Sequence, residues 1–240
     1  MPLRKSPLIL GHEIVGIVSE VGKGVTKFRV GDRAGIAWLN SSCGSCKFCR
    51  SGRENLCPQA KFTGWHTEGG YAEYVKVSQD FAFHLLGNLP FEETAPLMCP
   101  GIAGYRALRL TEAKGGDKLG LYGFGPTASY VLQVAKYLGI EIFVITRSEG
   151  NKTRARELRA DWVGGYEDEM PSKFDAGIIF PPAGNLVELA LSQLDSGGKL
   201  ILAPVYMTPI EIKDYNHIWM EHSVKSLANI SRDDVKEFLE

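Results

Sequence analysis

Four cysteines fall inside fifteen residues of this 240-residue chain, spaced Cys43-x2-Cys46-x2-Cys49-x7-Cys57. Short loops between thiolates let one segment wrap a single tetrahedral Zn²⁺, with Zn–S near ~2.3 Å. Gly44 and Ser45 stand where the backbone must turn, and Gly52 relaxes the longer span. Lys47, Arg50 and Arg53 are placed to offset part of the negative charge of the cage. Four sulfurs fill four coordination positions and leave none for water, so such a site is structural rather than catalytic. Free or redox-active thiols and an iron–sulfur cluster are the alternatives. The ferredoxin run closes on Cys-Pro after three residues, whereas the last gap here is seven. The fifth cysteine, Cys99, stands alone before Pro100-Gly101. An odd, clustered set argues against a secreted disulfide framework and for a reducing compartment.

A second constellation is Gly123-x-Gly125-x-x-Ala128, which matches the dinucleotide-binding fingerprint with alanine in its third place. The first glycine permits the tight turn, the second lets a pyrophosphate approach the backbone, and the third position must be small for helix and strand to pack. Pro126 suits the first helical position, where its missing N–H costs nothing, and Thr127 follows it. Free N–H groups at that helix start would face phosphates. The alternative is an ordinary strand-to-helix turn. Where an NAD site usually carries an acid at the end of the second strand, this chain has Thr146-Arg147-Ser148. The guanidinium offers a fork to a 2′-phosphate and the hydroxyls offer hydrogen bonds, which points to NADP over NAD. An Arg147 that is only a surface charge is the competing reading.

The elements that must hold these residues differ between the two halves. Residues 1–100 read as β-rich: an apolar run Ile14–Val21, a short run Ala34–Leu39, and an alternating stretch Tyr71–Val77, punctuated by glycines in the manner of a small barrel or sandwich. The second half alternates strand and helix. Lys118–Tyr122 reads as a strand, 126–138 as a helix, Glu141–Thr146 as a strand and Lys152–Ala160 as a charged helix, and the alternation continues through Asp175–Phe180, Leu186–Leu194, Lys199–Ala203 and Val224–Ala228. That order means a parallel sheet with right-handed crossovers. The expected division is 1–105 and 106–240, with the Trp and Phe residues in the cores. Lys plus Arg number 27 against 28 Asp plus Glu, which removes the electrostatic case for nucleic-acid binding. No apolar run approaches the ~20 residues of a membrane helix, and the opening residues are too short for a leader, so a cytoplasmic protein is expected.

Gly11-His12-Glu13-Ile14-Val15-Gly16, the four-cysteine loop, Cys99-Pro100-Gly101 and the glycine turn occur in one order. Together they resemble the zinc-dependent alcohol dehydrogenases of the medium-chain dehydrogenase/reductase family, over nearly the whole chain. The resemblance implies a GroES-like barrel domain followed by a Rossmann doubly wound sheet. It implies hydride transfer between an alcohol and NAD(P), giving an aldehyde or ketone, and a homo-oligomer, dimer or tetramer. It makes His12 and Cys99 catalytic zinc ligands and Glu13 a neighbour or transient ligand. Trp65, Tyr71, Leu97 and Met98 are candidates to shape the substrate pocket, and Asp32 to orient the site.

The departures set further expectations. The family's first catalytic ligand is a cysteine upstream of the Gly-His-Glu segment, and none of the ten residues before Gly11 is Cys. Ala103 stands where many relatives have Thr. The chain therefore reads as truncated at both ends, with a barrel domain lacking its start and a second domain lacking its return segment. Set beside the enzyme is a function of another class, a catalytically impaired zinc- and dinucleotide-binding fragment. A zinc-free quinone reductase relative is a third reading, against which the four-cysteine loop argues.

Overall fold

A computed structural model describes residues 4–85 and 87–240. Met1–Leu3, part of the opening read as too short for a leader, and Leu86 lie outside the described residues. The chain forms two compact units, Met1–Ile102 with Asn229–Glu240, and Ala103–Ala228.

In the first unit β1 (Ile14–Ile17) and β2 (Arg33–Ile36) pair antiparallel, with Ile14 opposite Ile36 and Ile17 opposite Arg33. Next along the chain come β3 (Leu39–Ser41), the short helix α1 (Lys47–Arg50) and β4 (Lys61–Phe62), with β3 and β4 paired. β5 (Ala82–His84) closes the three-stranded sheet against β2. After α2 (Phe91–Thr94) and a 3₁₀ turn over Ala95–Met98, α3 begins at Pro100 and runs to Thr111. Proline at its first position fits the fixed φ and missing N–H that a helix start tolerates.

Three expectations give way here. The alternation in Tyr71–Val77 predicts a strand, yet none forms; Tyr71 and Tyr74 are exposed, and of this stretch Tyr71 alone among the described residues donates to another segment's backbone, to the Leu10 carbonyl, with Gly69 and Gly70 just before it bonding to Ile9 and Gly11. A period of two says which side chains share a face, but a strand also needs a partner ladder. Second, the expected division puts Asn229–Glu240 at the end of the second domain, whereas these residues belong to the first unit. Its α8 (Arg232–Leu239) starts on a capping box between Ser231 and Asp234, and the Arg232 N–H and Nε donate to the buried Glu54 carboxylate at 3.0 and 2.8 Å. Third, none of the four tryptophans is buried, and Trp219 is 62% exposed. Phe81, Phe83, Phe124, Phe143 and Phe174 do lie in the cores.

The Glu54–Arg232 pair carries a pH signature. Burial pushes the Glu54 carboxyl up, but the hydrogen bonds from Arg232 and its charge outweigh this and hold it below the usual carboxylate range. A depressed carboxyl gives stability that is present above its unfolded pKa, about 4.3, and lost as pH falls through the folded value. Glu54→Gln is expected to lower unfolding stability by about 1–3 kcal/mol at pH 7, the worth of a hydrogen bond to a charged group. The gap to the parent chain should close below pH 4 in urea titrations, and a constant gap would remove the assignment.

The second unit is built on six parallel strands in the order β11-β10-β9-β6-β7-β8. Their ranges are β6 Lys118–Tyr122, β7 Glu141–Ile145, β8 Trp162–Gly164, β9 Phe174–Ile179, β10 Leu194–Leu202 and β11 Ser223–Ser226. Each central strand is apolar on both faces because helices cover both. Leu121, Val144, Ile178 and Ile201 are buried with α4 (Pro126–Tyr137) residues Ala128, Val131 and Leu132, while Tyr122, Phe174 and Leu200 share the other core with α6 (Asn185–Ser192). The charged helix α5 spans Glu149–Glu157, three residues earlier than expected. Ser148 sets its start by accepting from the Asn151 N–H, and Arg159 at φ 63° follows its end. A short α7 (Asn216–Trp219) precedes β11. The chain runs β6-β7-β8 in one direction and then returns to place β9 on the other side of β6, so the carboxyl ends of β6 and β9 flank a topological switch point.

Candidate functional site

The four clustered cysteines come together. One sulfur each from Cys43, Cys46, Cys49 and Cys57 lies within 4.8 Å of the others. α1 lifts Cys49 beside Cys46 at 3.5 Å between sulfurs, and Gly44 and Gly52 turn the backbone through positive φ at 72° and 68°. The Cys43 sulfur accepts from the Cys46 N–H, and that of Cys57 from the N–H groups of Cys43 and Gln59. N–H groups aimed at sulfur are what a thiolate cage needs around it, so the donor set fits four-coordinate zinc. Backbone donation from Ser45 and Cys46 draws the Cys43 thiol down to about 6, while burial pushes Cys57 up to about 11. The Lys47 ammonium and the Arg53 guanidinium lie 5.1 and 5.6 Å from the Phe48 ring, next to Cys49 in the chain.

His12, Glu13 and Cys99 also meet, with ligand atoms within 4.8 Å of one another and His12 Nε2 3.2 Å from Cys99 Sγ. Their sequence separation of 87 is closed by β1, which starts just after His12, and by the 3₁₀ turn that delivers Cys99. Burial lowers the His12 imidazole, raises the Glu13 carboxyl, and with the Glu13 charge pushes the Cys99 thiol up to about 12. A neutral imidazole, a carboxyl and a thiol make a mixed N, O, S set suited to zinc with one position left open. Asp32 does not orient this set; it accepts from the Arg29 N–H at 2.9 Å and closes its own turn.

Beside His12 stands an aromatic group the sequence does not reveal. Trp38 lies 5.7 Å from the His12 ring, and Phe62 and Trp65 lie 4.8 and 6.1 Å from Trp38. His66 packs on Trp65. Of the pocket candidates, Trp65 belongs to this group. Met98 is fully buried behind Gly35 and so cannot line an open pocket, whereas Tyr71 is exposed and lies over Gly11, the residue before His12. Leu97 is half-buried next to Gly101.

The glycine turn opens a cleft of about 470 Å³ at the switch point. Gly123 takes φ 80° and leaves no room for a side chain, since a Cβ there would sit 2.7 Å from the Pro181 ring. Gly125 precedes α4 and has open space over it, Pro126 and Thr127 begin the helix, and Ala128 is buried where helix and strand meet. Thr146, Arg147 and Ser148 line the cleft from the end of β7. Asn151, Tyr166, Phe180 and Pro181 complete it, and none of these four carries a signal in the sequence. The Arg147 guanidinium lies 5.9 Å from the Tyr166 ring.

The alcohol dehydrogenase GroES-like domain family matches residues 1–87. "Probable alcohol dehydrogenase AdhA" of Mycobacterium tuberculosis is 44% identical over 246 aligned positions, covering 100% of this chain and 71% of the relative. The chain belongs to the zinc-dependent alcohol dehydrogenases of the medium-chain dehydrogenase/reductase family. Among solved structures, a CAD of Helicobacter pylori complexed with NADP(H) superposes at TM-score 0.89 and 28% identity, over 98% of this chain and 71% of that one. A thermostable alcohol dehydrogenase of Pyrobaculum aerophilum with bound cobalt and zinc superposes at 0.88 and 25% identity, over 100% and 72%. As an alcohol dehydrogenase the chain is an oxidoreductase with a GroES-like unit and a Rossmann sheet, acting on a small-molecule alcohol. Among the described residues no helix is long and apolar enough to cross a membrane.

Proposed function

We propose that His12 and Cys99, with Glu13 as their neighbour or transient ligand, hold the catalytic zinc of an NADP(H)-preferring alcohol dehydrogenase, and that Cys43, Cys46, Cys49 and Cys57 hold a structural one. The observation that carries this reading is the convergence of His12, Glu13 and Cys99 from positions 87 apart in a chain that also builds the dinucleotide turn. When bound, zinc supplies Lewis-acid polarisation of the alcohol oxygen, and the nicotinamide supplies hydride acceptance.

The residues of the chain do the rest. His12 and Cys99 would hold that zinc beside the reacting oxygen. Trp38, Phe62 and Trp65 form an apolar wall that keeps water from the alcohol carbon. Glu13, with a raised carboxyl, is positioned to accept or return a proton at Oε at the edge of the site. Across the Rossmann turn, the α4 N-terminus receives the pyrophosphate, and Arg147 and Ser148 take the 2′-phosphate. Association into a homo-oligomer in the cytoplasm belongs to the same reading. Its support is the solvent-exposed edge strand β11, with Tyr215, Trp219 and Val224 exposed close by in sequence.

Cofactor choice tests the Rossmann half. The intact chain should use NADP in preference to NAD. Arg147→Ala should raise the KM for NADP about tenfold to a hundredfold, the worth of a charge-assisted hydrogen bond, and leave that for NAD nearly unchanged. Equal loss with both cofactors would reduce Arg147 to a surface charge. One zinc per chain and no alcohol oxidation would instead favour a protein that binds zinc and dinucleotide without turnover.

A further inference from the structure

The segment that delivers His12 is clamped mainly by backbone hydrogen bonds. Gly69 donates to the Ile9 carbonyl at 2.8 Å, Gly70 to that of Gly11 at 3.0 Å, and Tyr71 to that of Leu10 at 2.9 Å. Glu68 extends the clamp by one step: its carboxylate accepts from the Ile9 N–H at 2.8 Å and pairs with Lys5. Residues 9–11 therefore lie bonded along one edge to residues 68–71, and His12 is the next residue out.

The clamp has no spare room. A Cβ on Gly69 would sit 2.3 Å from the Gly11 carbonyl oxygen and 2.5 Å from that of Leu10. A Cβ on Gly64 would sit 2.8 Å from the same Gly11 oxygen, at φ 69°. These neighbours are main-chain atoms, so they cannot swing aside as a side-chain end could. Ordinary contact needs about 3.5 Å, so a methyl group at position 69 has to displace the Leu10–Gly11 backbone by about 1 Å. A rigid ladder passes that shift to His12, whose imidazole stands 3.2 Å from Cys99.

We infer that Gly69 and Gly64 are positioning residues for the metal site: their missing side chains let two backbone segments seat Gly11 so that the His12 imidazole meets Cys99. This rests on the reading of His12, Glu13 and Cys99 as zinc ligands. Groups that orient ligands without touching metal are worth about 10–100-fold in metal affinity. The glycines do so through the main chain rather than through a hydrogen bond to the imidazole.

The experiment uses the full chain loaded with zinc, with chelator competition to count and rank the two ions. Cobalt exchange adds a spectrum of the His12 site, isolated by subtracting that of a Cys99→Ala chain. Gly69→Ala should keep the four-cysteine ion, weaken the second at least about tenfold, and shift its cobalt bands. Gly22→Ala, at a glycine with nothing within 4 Å of its absent Cβ, should match the parent. Parental affinity and parental cobalt bands in Gly69→Ala overturn the inference. If Gly69→Ala does not fold, Glu68→Ala decides: a several-fold weaker second ion supports the clamp, and parental affinity overturns it. If Cys99→Ala itself loses no ion, the ligand reading has failed and the inference with it; loss there with parental behaviour in Gly69→Ala fails the inference alone.

Discussion

A Cys46→Ser chain is expected to bind one zinc fewer and to lose at least about 3 kcal/mol of unfolding stability, with loop 42–60 opened to protease. The reason is the composition of that loop. From Ser42 to Ala60 only Glu54, Asn55 and Cys57 are buried, and α1 buries no residue at all. A segment with so little apolar burial cannot offset its own ordering entropy, which runs at ~1–2 kcal/mol per residue. What organises it is four sulfurs within 4.8 Å of one another. Without the ion, the buried Cys57 sulfur keeps its proton, pushed up to about 11, while Cys43 at about 6 tends to the thiolate and gains no matching cation. Release of the loop also frees Glu54, so the pairing with Arg232 that ties α8 to this unit goes with it. Limited proteolysis and urea unfolding, with and without chelator, read both effects. A Cys46→Ser chain as stable and as protease-resistant as the parent would show that the cage holds no structural ion.

The legible parts of this chain are those whose chemistry is local. The clustering of the four sulfurs is legible because they are neighbours in sequence, and the glycine turn is legible because one strand-to-helix junction contains it. The parallel sheet reads from hydrophobic runs because strands covered on both faces are apolar throughout. Features made by distant segments stay silent. Asn151, Tyr166, Phe180 and Pro181 enter the cofactor cleft only because β6, β7 and β9 end side by side. Trp38 looks like any core tryptophan until the fold sets it 5.7 Å from His12. The return of Asn229–Glu240 to the first unit depends on Glu54, 178 residues from Arg232. The false strand at Tyr71–Val77 is the converse case: its local alternation is present, but among the described residues just one of its residues, Tyr71, bonds to another segment's backbone, at Leu10.

His12→Ala and Cys99→Ala should each lower kcat/KM for alcohol oxidation by about a thousandfold, and the double variant should lose little more. Polarising the reacting oxygen is worth several kcal/mol, and each ~1.4 kcal/mol is tenfold in rate. Nε2 and Sγ lie 3.2 Å apart and would share one ion, so removing either donor empties the same position. Residues that act as a unit are strongly non-additive, and removing a second after the first costs little. Glu13 differs from both. Its side chain is exposed and its carboxyl only raised by partial burial, so Glu13→Gln should cost far less, about tenfold. The structural ion should stay bound in all four variants, since none touches the four-cysteine cage. Two independent losses that multiply in the double variant would mean that His12 and Cys99 serve different steps, and the shared-ion geometry would then have to be abandoned.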